Sequence, residues 1–184
     1  DSRVSRGLGD VYKRQTQELE QMISIVDQAM KDGALGLSSG LFYVPGSFST
    51  KNEVVELAKV ASKYGGIYIS HMRDEAALII ESVNETIDIG KLAELPAVIT
   101  HHKVIGKSNW GLSKETLKLV DAAVNEGFDV YLDQYPYTAS QTSLRALIPQ
   151  WAQAGGREML LQRIEDSEIT VSYTHLTLPT TPVV

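Results

Sequence analysis

Four short apolar runs, each preceded by a helical segment, recur along this chain at nearly constant spacing. This rhythm limits the fold more than any other feature. The runs are "ALGLSS" at 34–39, "IYIS" at 67–70, "AVIT" at 97–100 and "DVYLDQY" at 129–135. Their polar ends recur as well: Ser39 to His71 is 32 residues, His71 to His101 is 30 and His101 to Asp133 is 32. Short apolar runs bounded by glycine or proline read as strands. The segments between them read as helices. Leu19, Met22, Ile23, Val26, Ala29 and Met30 share one helical face, and Gly33 stops it. Thr50 and Glu53 form a capping box ahead of Val54, Leu57, Ala58 and Ala61. Asp74 and Glu75 open a helix through Leu78, Ile79, Val83 and Ile87, and Ser113 caps one through Leu117, Val120, Ala123 and Val124. A last helical stretch starts near Leu144 and is interrupted by Pro149 and by Gly155 and Gly156.

Strands alternating with helices predict an α/β fold with a parallel sheet. Four βα units fit either half of an eight-stranded (β/α)8 TIM-like barrel or a small doubly wound sheet. The termini break the pattern. Residues 1–15, "DSRVSRGLGDVYKRQ", are polar and basic without a period, and 171–184, "VSYTHLTLPTTPVV", are a Thr/Pro-rich run. Both resemble translated sequencing-adapter read-through and are set aside as non-native. This leaves 16–170 as a partial barrel domain, expected to be a fragment of a longer protein.

Composition removes several classes of function. The net charge is −6 and the pI about 5.2, so there is no basic footprint for nucleic acid. No apolar run approaches the roughly 18 residues of a membrane span, and the N-terminus has no secretory pattern. The chain has no cysteine, which excludes a disulfide scaffold and thiolate ligands from this chain, and is compatible with a cytoplasmic setting. "GALGLSSG" is neither GxGxxG nor a P-loop, and Gly-x-Ser-x-Gly is absent, so neither nucleotide binding nor a serine nucleophile is indicated.

In parallel α/β folds ligands gather at the C-terminal strand ends. His71 and His101 both sit there, at matching positions of consecutive units. Neighbouring strands lie about 4.8 Å apart, so two inward imidazoles could share a cation about 2.0–2.1 Å from each nitrogen. The alternative is two hydrogen-bonded loop histidines. Alternation along a strand puts His101 inward, His102 outward and Lys103 inward again. Lys103 could then meet a substrate carboxylate, or stand solvated at the strand exit. Arg73 could meet an anion. Asp74 and Glu75 suit the N-terminus of the following helix. Asp133 is either a third ligand or a structural carboxylate.

Four blocks, "GALGLSSGLFYVPGSFS", "GGIYISHMRDE", "HHKVIGKSNWG" and "DQYPYTAS", occur in one order and spacing. Together they resemble the D-aminoacylase, or N-acyl-D-amino-acid deacylase, group of the amidohydrolase superfamily, over essentially all of 16–165. The resemblance implies a (β/α)8 barrel of which this segment supplies roughly the fourth to seventh strands. It implies Zn2+-dependent hydrolysis of the amide of small N-acyl-D-amino acids, with His71 and His101 as metal ligands and Lys103 and Tyr135 holding the substrate carboxylate. It places the proton-transfer aspartate beyond the C-terminal end, leaving no catalytic proton-transfer group in this chain, and lowers the standing of Asp133 as a ligand. A dihydroorotase- or hydantoinase-type cyclic-amide hydrolase is the alternative within enzymes. The alternative for the isolated chain is a non-catalytic half barrel whose exposed sheet edges favour self-association.

Overall fold

The structure, a computed structural model, describes residues 16–137 and 139–171. Both segments set aside as non-native, apart from Val171, lie outside the described residues. The chain divides into two compact units, with the first described unit ending at Pro136 and the second beginning at Tyr137.

The first unit holds the expected alternation. Helix α1 (Thr16–Lys31) is followed by β1 (Gly36–Gly40), α2 (Lys51–Ser62), β2 (Ile67–His71), α3 (Ile79–Ala93), β3 (Ala97–Ile99), α4 (Ser113–Asn125) and β4 (Val130–Leu132). The four strands form one sheet in the order β1-β2-β3-β4, and every pair is parallel. Consecutive strands are neighbours, the arrangement of a barrel segment; a doubly wound sheet reverses its order at a switch point.

The two sheet faces differ. Along β2 burial alternates, with Tyr68 and Ser70 buried and Ile67, Ile69 and His71 half-buried. The buried face meets the helices. Leu41, Val54, Val55, Ala58, Tyr68, Ile89, Ala93, Leu95 and Ala97 form one core cluster. Met72, Ile79, Val83, Ile87, Ile99, Val120, Ala123 and Val130 form a second. Helix α3 contributes to both, which ties the β1–β2 half to the β3–β4 half. The other face carries Ser38, Ile67, Ile69, Val98 and Tyr131, the last 56% exposed. A closed barrel would fill that face with side chains from facing strands. In the helix-facing layer the hydroxyls of Ser39 and Tyr68 lie 2.6 Å apart, so the buried phenol is satisfied, and burial raises its pKa.

Local signals explain most boundaries. The Thr50 hydroxyl accepts from the Glu53 N–H at 3.2 Å, the backbone half of the expected capping box. Gly33 takes φ 103° just after α1, a left-handed stop that few other residues adopt. Two starts differ from expectation. Ser113 is the first residue of α4 and not its cap; Leu112 stands at the cap without a side-chain bond, and the Ser113 carbonyl accepts from Thr116 Oγ1. Helix α3 begins at Ile79, not at Asp74, because the Asp74 carboxylate accepts from the N–H groups of Ala76 and Leu78 and folds a turn ahead of the helix.

In the second unit a 3-10 turn (Leu144–Leu147) precedes α5 (Gln150–Gln153) and α6 (Gly156–Glu165), with breaks at Pro149 and at Gly155 and Gly156 as the sequence suggests. Among the described residues no helix is long and apolar enough to cross a membrane.

The β1–β2 pairing leaves no room at Gly36, where a Cβ would lie 2.1 Å from the Ile67 carbonyl oxygen. Gly36→Ala is expected to cost about 1–3 kcal/mol, as overpacking does. A lower urea midpoint at unchanged slope would report it; an unchanged midpoint would contradict the close approach.

Candidate metal centre

Strand β2 delivers His71 as its last residue, opposite Gly40 of β1. Strand β3 is shorter than the sequence suggests. It ends at Ile99, and Thr100 and His101 form a turn in which His101 takes φ 41°. A left-handed backbone at a non-glycine residue needs support. Here the Asp133 carboxylate provides it, accepting from the His101 N–H at 2.5 Å and the Thr100 hydroxyl at 2.6 Å. Burial alone would raise the Asp133 pKa, but these two bonds and the neighbouring His101 outweigh it and hold the carboxyl below its ordinary value. Asp133 therefore shapes the turn. With both oxygens engaged, it is not among the residues that converge.

This turn corrects the reason for the "HHK" pattern while keeping its result. Strand alternation does not apply beyond Ile99, yet His102 still points away from His101 and Lys103. His101 faces His71, with His71 Nδ1 2.7 Å from His101 Nε2. His102 is buried, its Nε2 2.9 Å from the Thr116 hydroxyl of α4, and burial lowers its pKa. Lys103 returns to His101, with Nζ 2.9 Å from its Nδ1.

Sequence reasoning gave Glu75 to the helix start, and the structure puts it elsewhere. Glu75 lies on the loop between β2 and α3 with its side chain 5% exposed. Its Oε1 is 2.6 Å from Lys103 Nζ and 3.0 Å from His101 Nδ1. Its backbone carbonyl accepts from the Ile105 N–H. In the sequence an acidic residue at this place is sufficiently explained by the positive end of the following helix. Arg73 is likewise not an open anion site. It forks onto Glu85 and donates to the carbonyls of Ser47 and Ser49, fastening the β1–α2 loop.

Aromatic rings border the histidines. Tyr43 and Phe42 lie 4.7 and 5.8 Å from the His71 ring, and Tyr135 lies 6.4 Å from the His101 ring. Lys103 Nζ is 5.6 Å from the Tyr135 centroid. The four residues singled out in the sequence, His71, His101, Lys103 and Tyr135, are thus brought to one end of the sheet.

The donor set fits a cation. Among the described residues, His71, Glu75 and His101 each offer a ligand atom, all within 4.8 Å of one another. Burial, the largest influence, lowers the His71 pKa, with His101 and Lys103 acting the same way and Glu75 opposing. The ring is therefore neutral at pH 7, the form that binds metals. Two nitrogens on one tetrahedral zinc stand about 3.3 Å apart. The 2.7 Å between the facing nitrogens is a hydrogen-bond distance, somewhat shorter than that value.

Comparison with known proteins decides the family. The chain is 44% identical over 129 residues to a D-aminoacylase of Alcaligenes xylosoxydans, covering 70% of this chain and 26% of that protein. It is 35% identical over 162 residues to an N-acyl-D-glutamate deacylase of the same organism, covering 88% of this chain and 30% of that protein. Among solved structures, the N-acyl-D-glutamate deacylase of Bordetella bronchiseptica, complexed with zinc and a phosphonate mimic of the tetrahedral intermediate, superposes with a TM-score of 0.67 at 36% identity. That match covers 70% of this chain and 27% of the other. By sequence and by fold, this segment belongs to the D-aminoacylase group of amidohydrolases. No protein-family model matches it. It spans less than a third of the length of the curated relatives it matches. These relatives are a D-aminoacylase and N-acyl-D-glutamate deacylases.

Asp133→Ala frees two donors that hold the His101 turn. It is expected to cost about 1 kcal/mol, the worth of hydrogen bonds in a largely solvated setting. The sign with pH follows from the depressed carboxyl: its contribution is present above about pH 4 and is lost on acidification below it. A wild-type acid-unfolding profile superimposable on that of the alanine variant would remove this role.

Proposed function

We propose that this chain carries the metal-ligating and carboxylate-holding part of a zinc-dependent deacylase acting on N-acyl-D-amino acids. The observation that supports it most is the approach of His71 Nδ1 to His101 Nε2, 2.7 Å apart at the C-terminal ends of adjacent parallel strands. His71 and His101 would hold the ion. When bound, zinc supplies Lewis acidity to a carbonyl oxygen and makes water acidic near neutral pH.

The other residues act on the substrate. An N-acyl-D-amino acid presents a free carboxylate next to the amide to be cut. Lys103 is a cation beside His101, and Tyr135 flanks both. Together they would grip that carboxylate and set the amide against the metal centre. Such positioning matters because a misplacement of about 1 Å can cost on the order of a hundredfold in rate. Water adds to the carbonyl carbon, the C–N bond breaks, and the products are a carboxylic acid and a D-amino acid. The proton has to pass from water to the leaving nitrogen. Asp133 is occupied by Thr100 and His101, so we assign that transfer to a carboxylate outside this segment. The domain we assign to this work is 16–170, and the isolated chain is proposed to be inactive, with β1 and β4 as sheet edges open to self-association.

Two measurements test this. In the chain itself, His71→Ala and His101→Ala should each abolish stoichiometric zinc, read by metal analysis after dialysis; retention of zinc by both variants rejects the ligand assignment. In a longer polypeptide that joins this segment to the rest of a barrel, Lys103→Ala and Tyr135→Phe should raise KM for an N-acyl-D-amino acid by about 10–100-fold, the worth of a hydrogen bond to a charged group. The Lys103→Ala variant should also lose the preference for the free acid over its carboxamide. An unchanged preference would remove Lys103 from the substrate.

A further inference from the structure

Lys103 stands in a stretch that neither a helix nor a strand orients. Strand β3 ends at Ile99, the turn at Thr100 and His101 follows, and residues 102–105 carry no regular structure. Lysine has a flexible four-carbon stem, so its ammonium is placed by what holds the far end. Glu75 grips this stretch at two points. Its carbonyl accepts from the Ile105 N–H at 2.7 Å, and its Oε1 accepts from Lys103 Nζ at 2.6 Å. Glu75 has little freedom of its own, because its side chain is 5% exposed and Asp74 before it is tied down. The Asp74 N–H donates to Ser82 Oγ, and its carboxylate accepts from the N–H groups of Ala76 and Leu78. The other charges nearby are committed elsewhere, Arg73 to Glu85 and Asp133 to Thr100 and His101. The Lys103 ammonium also donates to the His101 carbonyl at 3.1 Å and lies 2.9 Å from His101 Nδ1. The contact to Glu75 is the shortest of the three and the one between opposite charges.

We propose that Glu75 is the positioning residue for Lys103. Its buried carboxylate holds the ammonium beside the His101 turn, 5.6 Å from the centre of the Tyr135 ring. The cation is rooted on the loop after β3 but aimed from the loop after β2. The proposal rests on the reading of Lys103 as the cation that meets the substrate carboxylate. That carboxylate would replace the longest of the three contacts, the His101 carbonyl, while the pairing with Glu75 persists. Placing the ammonium beforehand removes the cost of ordering a long side chain when substrate binds. The competing account makes Glu75 a third metal ligand, since its carboxylate comes within 4.8 Å of the ligand atoms of His71 and His101. The two accounts differ in what Glu75 acts through, Lys103 in one and the ion in the other.

Carbon-13 relaxation at lysine Cε in the zinc-free chain reads the placement, with Lys103→Ala to assign the signal. Lys103 should be rigid, in contrast to Lys118, whose side chain is 70% exposed. A Lys103 as mobile as Lys118 overturns the proposal without any variant at Glu75. Glu75→Leu should free Lys103; a Lys103 that stays rigid there also overturns it. Glu75→Gln keeps an acceptor oxygen, so Lys103 should remain more ordered in it than in Glu75→Leu. Glu75→Gln should also keep the wild-type zinc content, and a loss makes the carboxylate a ligand and overturns the proposal. In the longer polypeptide that completes the barrel, Glu75→Leu should raise KM for the free acid about 10-fold and leave KM for the carboxamide unchanged. It should add nothing to the effect of Lys103→Ala, because it acts through that residue; full additivity overturns the proposal. If Lys103→Ala leaves KM unchanged while Glu75→Leu frees Lys103, the substrate reading fails and the placement by Glu75 stands.

Discussion

The parallel pairing of β2 with β3 underlies everything at the site. Tyr68 stands opposite Ala97 and Ser70 opposite Ile99, and the Thr100 N–H continues the ladder to the Ser70 carbonyl. That register brings His71, the last residue of one strand, beside His101, the second residue beyond the other. A slip of one residue would turn Tyr68 and Ala97, both fully buried, away from the helices and expose the face that now forms the core. The apolar layer thus fixes the metal centre from the far side of the sheet. Burial of Ile79, Val83, Ile89 and Ile99 sets the register, and the register sets the ring-to-ring distance.

Charge is arranged to suit this placement. Glu75 is almost fully buried, and its carboxylate is paired there because Lys103 Nζ donates to it at 2.6 Å. The His71 ring sits beside aromatic groups and is kept neutral by burial. Farther out, Arg73 pairs with Glu85 in a partly buried fork that also holds two carbonyls of the β1–α2 loop. Beside these pairings, the histidine nitrogens that face one another are placed to accept a cation together.

Much of this was legible in the chain of residues. The 30- to 32-residue rhythm pointed to four parallel βα units, because strand and helix periods differ and neither needs tertiary context to be seen; it left open their order, which the structure gives as β1-β2-β3-β4. His71 and His101 were legible as a pair because they occupy equivalent ends of consecutive units. The turn at Thr100 and His101 was not. Strand alternation predicts the directions of His101, His102 and Lys103 correctly, but for a backbone that left the strand one residue earlier. The cause lies in Asp133, 32 residues away, whose hydrogen bonds make φ 41° tolerable for a histidine. Glu75 was hidden for a related reason. An acidic residue ahead of a helix has a sufficient local explanation, and only the fold reveals that Asp74 had already taken the turn and left Glu75 to face the next strand. The start of α4 shows the same limit, since Ser113 has the right chemistry for a cap and stands one residue too late.

These long-range ties have a common pattern. The β1 loop is held by Arg73 from the β2 loop, the β2 loop meets the β3 loop through Glu75, and the β3 turn is held by Asp133 from the end of β4. Each unit is fastened by a residue of the next or the one before. Loops at strand ends are ordinarily the most variable part of such a fold. Here their geometry passes from neighbour to neighbour through buried or charge-assisted bonds. Two ligands from consecutive units can then meet through nearest-neighbour contacts alone, which is why the ring pair forms within a four-stranded segment. Residues from other strands would complete the chemistry without being required to create the pair.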